Sequence, residues 1–166
     1  MKPPETILRL AEERDLPAIN AIYNHYVEHS TCTYQIAPET EEARAAWFHA
    51  HDALHPVTVA ERAGEIAGWG SLNVYHPREA YTRTVENSLY VRAGVQRQGI
   101  GRVLLRDLVE RARALDHHTI LAAISAEQSG SIALHAALGF VEAGRFRELG
   151  WKHARWLDVV VLQLIL

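Results

Sequence analysis

The sequence predicts a mixed α/β (α+β) fold: one sheet of about seven strands flanked by about four helices, in a single domain spanning residues 1–166. Three observations carry this. Runs of β-branched and aromatic residues interleave with amphipathic stretches in the order strand, two helices, three strands, helix, strand, helix, two strands. The 166 residues match one domain with a sizeable core, and no Gly/Ser- or Pro-rich stretch divides them. A composition of 48% hydrophobic and 22% charged residues excludes wholesale disorder.

Thr6–Leu10 reads as the first strand. Asp15 is placed to cap a helix running to about Ser30, with Pro17 in its first turn and Ile19, Ile22, Tyr23, Tyr26 and Val27 on one face. Thr40 to about Asp52 is a second helix, opened by Glu39, Glu41 and Glu42 where the dipole favours acids. Pro56–Arg62 and Glu65–Asn73 flank a turn at Ala63-Gly64 and form a hairpin, with Thr82–Val91 pairing beside it. Gly99–Leu115 is the longest helix, its Ile100, Leu104, Leu105, Leu108, Val109 and Ala112 spaced by three and four. Thr119–Ile124 is a buried strand and Ser129–Leu138 a short helix stopped by Gly139. Strands near Phe140–Leu149 and Arg155–Leu164 close the chain.

The formal net charge of −3 offers no basic field for nucleic acid or acidic membranes, so any anion site is local. A single cysteine, Cys32, excludes an internal disulfide and a four-thiolate zinc site. No apolar run reaches the roughly 18 residues of a spanning helix, and the start MKPPETILRL lacks an apolar leader core. The expected location is the cytoplasm, with no membrane partner.

The chemistry concentrates where Val85–Val91 runs through Arg92–Gly101 into the long helix. A glycine loop at a helix N-terminus presents unpaired N–H groups and a positive dipole end to an anion, with no side chain in the way. No Lys-Ser/Thr pair follows, so it is not a P-loop. Gln96, Gly99 and Gly101 match Q/R-x-x-G-x-G/A, and with SLYV before the loop, IGRVLL after it and SIALHAALGF at 131–140 the chain resembles the GNAT superfamily of acetyl-CoA-dependent N-acetyltransferases. The closing GWKHARWLDVVVLQ and the early AIYNHYV resemble the subgroup that acetylates phosphinothricin, methionine sulfoximine and related small amino acids. The resemblance implies a central, mostly antiparallel, twisted sheet.

It also implies a site. Gln96, Arg97, Gln98, Gly99, Ile100, Gly101 and Arg102 would hold the pyrophosphate of acetyl-CoA, and Leu89, Tyr90 and Val91 would pair with its pantetheine arm, an N–H near Leu89 polarising the thioester carbonyl. Gln128 stands where many relatives have a pantetheine-binding Asn, and Ser131 follows it after Gly130. Acetyl transfer needs a neutral amine, and an α-amine with a pKa of about 8 is mostly protonated at neutral pH. A base therefore helps. Strand alternation puts Glu86, Ser88 and Tyr90 on one face, and the resemblance places Glu86 beside the acetyl group as that base. His135 occupies the position of the acid that protonates the departing thiolate; as a helix residue it equally suits packing.

Arg78, Tyr81 and Arg83, in the segment before the catalytic strand, would bind the carboxylate or phosphinate of the acceptor and close an aromatic wall, with Asn87 beside them. Trp69 and Asn73 on the preceding strand are candidates for lining the same cleft. Among the ten histidines, His51 and His55, with His49 nearby, lack the further ligands of a metal site, and no metal is expected. An exposed sheet edge and the apolar VVVLQLIL suggest a homodimer, which the resemblance also implies. The expected activity is N-acetylation of a small-molecule amine; acetylation of a protein or peptide amine, and a non-catalytic acyl-CoA sensor, are the competing readings.

Overall fold

The computed structural model describes residues 5–166; the first four residues lie outside that range. Its elements are β1 (Ile7–Leu10), α1 (Leu16–His29), α2 (Glu41–His49), β2 (Val57–Arg62), β3 (Glu65–Val74), β4 (Thr84–Val91), α3 (Ile100–Ala114), β5 (Thr119–Ser125), α4 (Ser129–Ala136), β6 (Val141–Lys152) and β7 (Arg155–Ile165). The seven strands form one sheet in the order β1-β2-β3-β4-β5-β7-β6. Every neighbouring pair is antiparallel except β4 and β5. The predicted mixed sheet with four helices is the observed one.

Local chemistry explains most boundaries. Thr40 caps α2, its hydroxyl accepting the Ala43 N–H at 3.1 Å, with Glu41 and Glu42 in the first turn. That helix stops short of its predicted end because Asp52 turns the chain, its carboxylate accepting the N–H groups of Leu54 and His55. Asp15 precedes α1 as expected but does not cap it. Its buried carboxylate takes two hydrogen bonds from the Arg9 guanidinium, at 2.6 and 2.9 Å, and one from the Glu12 N–H. A forked, charge-assisted pair outcompetes a single cap bond.

Strand alternation builds two cores. Trp69 of β3 packs with Ile19, Ile22 and Val59 beneath α1 and α2, while Leu72, three residues on and so on the opposite face, packs with Leu105, Leu108 and Val85 beneath α3. Gly68 and Gly70 let α3 press onto β3: a Cβ on Gly70 would lie 2.9 Å from Leu108 Cδ1, and one on Gly68 would lie 3.1 Å from Leu104 Cδ1. Arg44 is buried at 2% exposure, paired with Glu39 and stacked over Tyr23 and Trp47 at 4.5 and 4.6 Å. It ties α2 to α1.

The C-terminal apolar strand is not the sheet edge. β7 lies between β5 and β6, and its Val159, Val160, Leu162 and Leu164 are buried. The edge is β6, which carries a mostly exposed face.

Candidate active site

The site begins as a failure of pairing. β4 and β5 are registered only at Thr84↔Thr119, Val85↔Ile120 and Glu86↔Leu121. Beyond Glu86 the strands part, although β4 stays paired with β3 to Val91↔Gly68 and β5 with β7 to Ser125↔Val159. Each strand is held from its outer side, so the gap between them is fixed. A cavity of about 310 Å³ occupies it, lined by Glu86–Tyr90 of β4, Ala122–Ile124 of β5, and Gln128, Ser131 and His135 around α4. The segment Cys32–Tyr34 between α1 and α2, with Leu149 and Val159, completes the wall.

The open edge of β4 carries backbone groups that can bind. The Arg92 N–H donates to the Ala67 carbonyl, so by antiparallel alternation Tyr90, Ser88 and Glu86 spend their main-chain groups on β3. Leu89 and Val91 turn theirs to the cleft. The Val91 carbonyl accepts from the Tyr26 hydroxyl, which ties α1 to the cleft mouth.

The chain then enters the loop that starts α3. Gly94, Arg97 and Gly99 have positive φ values of 88°, 58° and 84°, a conformation that glycine adopts freely and arginine rarely. Gly99 is the N-cap and offers no side chain, and the first helical bond shown is Val103 N–H to the Gly99 carbonyl. The N–H groups of Ile100, Gly101 and Arg102 have no partner among the described residues, and no acidic side chain neutralises the first turn. Gln96 braces the loop, accepting the Gly94 N–H and donating to the Tyr26 hydroxyl, while Arg62 holds the side chain and carbonyl of Gln98. Arg97 and Arg102 are exposed beside it. These features fit a diphosphate: free N–H groups, a positive helix end and two unpaired cations.

Glu86 is half-buried, and its carboxylate has no hydrogen bond or ion pair among the described residues. Burial alone pushes its pKa up. The side chain lines both the first cavity and a second of about 370 Å³, walled by Tyr75, Leu121, Phe146, Leu149 and Val161. It therefore sits where the two join. Asn73 supports the strand beneath it, donating to the Glu86 carbonyl at 2.9 Å and the Ser88 hydroxyl at 3.1 Å.

His135 is 2% exposed. Its Nδ1 lies 2.8 Å from the Ser131 carbonyl, which can only accept, so Nδ1 carries the proton. Its Nε2 then accepts from Asn87 Nδ2 at 3.1 Å. Burial lowers its pKa and keeps the ring neutral. In this tautomer the ring has no free proton for a leaving group, which counts against the acid role. Asn87 Oδ1, also buried, has no partner among the described residues.

Other expected residues lie elsewhere. Arg83 pairs with Asp116, its Nε donating to the Asp116 carbonyl and its Nη2 lying 2.7 Å from the carboxylate. Arg78 is exposed in the turn before β4, and Tyr81 packs edge-on against Tyr75 and beside His76. None of the three lines the cleft. Gln128 does, but its amide donates to Thr31, whose hydroxyl donates to Glu127, itself paired with Arg155. Trp69 is buried among Tyr23, Trp47 and Tyr90. His49, His51 and His55 bond separately to Glu13, to Asn73 and Trp47, and to Asp52.

Sequence reading missed Tyr26, Cys32–Tyr34 and Leu149. Tyr26 reads as one more apolar-face residue of α1, and no local pattern distinguishes the others. A larger groove of about 740 Å³ beside α1 lies away from this chemistry, and its Arg9, Arg14 and Arg92 are all in ion pairs.

Known proteins share this arrangement. The L-methionine sulfoximine/L-methionine sulfone acetyltransferase of Pseudomonas paraeruginosa is 41% identical over 159 residues, 95% of this chain and 92% of that protein. The phosphinothricin N-acetyltransferase of Alcaligenes faecalis is 38% identical over 158 residues, 94% of this chain and 80% of that protein. A GNAT superfamily phosphinothricin acetyltransferase from Sinorhizobium meliloti, solved in complex with AcCoA, superposes with a TM-score of 0.94 at 36% identity, covering 97% of this chain and 88% of that one. Residues 19–140 match the model of the Acetyltransferase (GNAT) family, and the chain belongs to the GNAT acetyltransferase family.

Proposed function

We propose that this enzyme moves an acetyl group from acetyl-CoA to the α-amine of a small amino acid or amino-acid analogue, of the phosphinothricin or methionine sulfoximine type. The observation that carries the reading is Glu86: an unpaired, half-buried carboxylate at the junction of two cavities, beside a strand edge whose N–H groups are free. The names of the relatives support the acceptor class.

Acetyl-CoA, when bound, supplies an activated acyl thioester. Residues 96–102 hold its diphosphate by backbone N–H groups and the Arg97 and Arg102 charges, and Leu89 to Val91 align its arm along the β4 edge. The Leu89 N–H polarises the acyl carbonyl. Glu86 takes the proton that the acceptor amine loses, directly or through one water; its burial-raised pKa brings it closer to the amine's. Glu86 then holds a proton for the departing sulfur. His135 is a positioning residue that fixes Asn87, a cleft-lining residue whose buried Oδ1 has no partner among the described residues. Arg78 and Tyr81, on the adjoining turn, meet the acceptor's polar end only if that turn closes.

The protein acts as a homodimer in the cytoplasm in this reading. Among the described residues no helix is long and apolar enough to cross a membrane. The test is purified protein, acetyl-CoA and a panel of amino acids and peptides, with released thiol titrated by a dye. Thiol release with small amino acids and none with peptides is the expected result; release with peptides only, or with no amine, overturns it.

A further inference from the structure

Gly150 has no backbone reason to be glycine, since its φ is not positive. Its reason is a neighbour. A Cβ built there would lie 2.2 Å from Cε1 and 2.3 Å from Cδ1 of Tyr34, so the tyrosine ring rests directly on the β6 backbone. Tyr34 lines the cavity that holds Glu86; Gly150 does not. The backbone behind the ring is anchored, because the buried Lys152 ammonium donates to the Thr33 carbonyl at 2.8 Å and the Thr33 hydroxyl meets that of Tyr23 at 2.9 Å. Tyr34 itself lines the cleft, so a ring displaced from Gly150 changes the space there.

The residue before Gly150 is placed by a second device. Phe146 pairs with Val159 and Gly150 with Leu157, so Arg147, Glu148 and Leu149 bulge opposite the single residue Asp158. Glu148 takes a φ of 51°, and its N–H is held by Asp158 Oδ1 at 2.9 Å. Leu149, at the end of the bulge, lines both cavities, as Glu86 does, while 59% of its surface stays exposed. Tyr34 and Leu149 thus form the wall facing the proposed base.

We propose that Gly150 and the Asp158-pinned bulge are positioning elements that set the length of acceptor side chain the cleft admits, acting through Tyr34 and Leu149. The proposal rests on the cleft being the acetyl-transfer site. A methyl at Gly150 drives the Tyr34 ring into the cavity and shortens the space, so longer acceptors lose more than short ones; removing the ring does the reverse.

The experiment measures kcat/KM for L-alanine, L-norvaline and L-methionine sulfone, with acetyl-CoA KM as a control, in wild type, Gly150→Ala, Tyr34→Ala and the double variant. Gly150→Ala is expected to lower the methionine sulfone to alanine ratio about tenfold, the discrimination that a methylene or so supplies, with acetyl-CoA KM unchanged. Tyr34→Ala raises that ratio, and adding Gly150→Ala to it has no further effect, because the clash is gone. An equal effect of Gly150→Ala with and without the ring, or a uniform loss across all acceptors, overturns the proposal. If Gly150→Ala alone does not fold, Tyr34→Ala and Leu149→Ala decide: an unmoved ratio in both overturns it. Turnover by wild type with unmoved selectivity sinks this inference alone, whereas no turnover by wild type with any acceptor sinks the reading of the cleft as well.

Discussion

Glu86, half-buried, and His135, fully buried, are both titratable groups, and their environments separate their roles. Glu86 has nothing but burial acting on it, so its carboxylate is free to receive a proton. Glu86→Gln keeps the shape and removes the basicity, and turnover near neutral pH should fall roughly 10²-fold or more while acetyl-CoA affinity is kept. Raising the pH deprotonates the amine without help, so the deficit should shrink; kcat/KM against pH for both proteins measures this, and a pH-independent deficit would mean a structural role. His135 makes a prediction about stability. Its folded pKa lies below the unfolded value of 6.5, so in the window below 6.5 the unfolded chain binds more protons. Stability is full above that window and is lost as the pH falls into it. The melting temperature should drop on acidification from about pH 7.5 to 5.5, and His135→Gln should flatten part of that slope. An identical slope in the variant would place the ring's titration outside the folding equilibrium. Both residues were legible in the sequence from their motifs, and the Ser131 bond is one helical turn away, but the Asn87 bond that completes the setting of His135 joins residues 48 positions apart and has no sequence signature.

The loop leading into α3 was the most legible element, because its chemistry is local: glycines where φ is positive and no acid or cap to quench the helix end. It also gives a direct test. Acetyl-CoA at about a hundred times its Kd should stabilise the fold by about 2.7 kcal/mol, several degrees in melting temperature. Gly99→Val should abolish that shift. No atom lies within 4 Å of a Cβ there, so the variant acts by straining a φ of 84° and by crowding the anion's approach. A full ligand-induced shift in Gly99→Val would remove the loop from the cofactor site. The segment before β4 shows the opposite case. Arg78, Tyr81 and Arg83 have the right residue types, yet Asp116 at the end of α3 claims Arg83, a competition no spacing rule reveals.

At the level of the whole chain, β6 ends the sheet with an unpaired outer edge and exposed Phe146 and Trp151, the latter packed at 5.2 Å against Trp156 of β7, each tryptophan more than half exposed. In the dimer proposed above, this 12-residue strand and its apolar surface are what a second copy would cover. Light scattering should give twice the 18.6 kDa chain mass, and Trp151→Arg, at a solvent-facing position, should return the monomer with its fold intact. A wild-type monomer at micromolar concentration would refute the dimer.

The sequence by itself determined the element order, the two-faced sheet and the uncapped start of α3, because each follows from periodicity, turn chemistry or helix-end electrostatics acting over a few residues. It did not determine where the sheet splits. The parting of β4 and β5 after Glu86 depends on each strand being fastened to a different neighbour, β3 on one side and β7 on the other, across most of the chain. That split creates the cleft, and one of its walls comes from Cys32–Tyr34 and Leu149, segments joined through Gly150 and Lys152. The same long-range pairing buried the apolar C-terminal strand and left β6 at the edge. Short-range physics is written residue by residue in the chain, whereas side chains more than a hundred positions apart are brought together only by the assembled sheet.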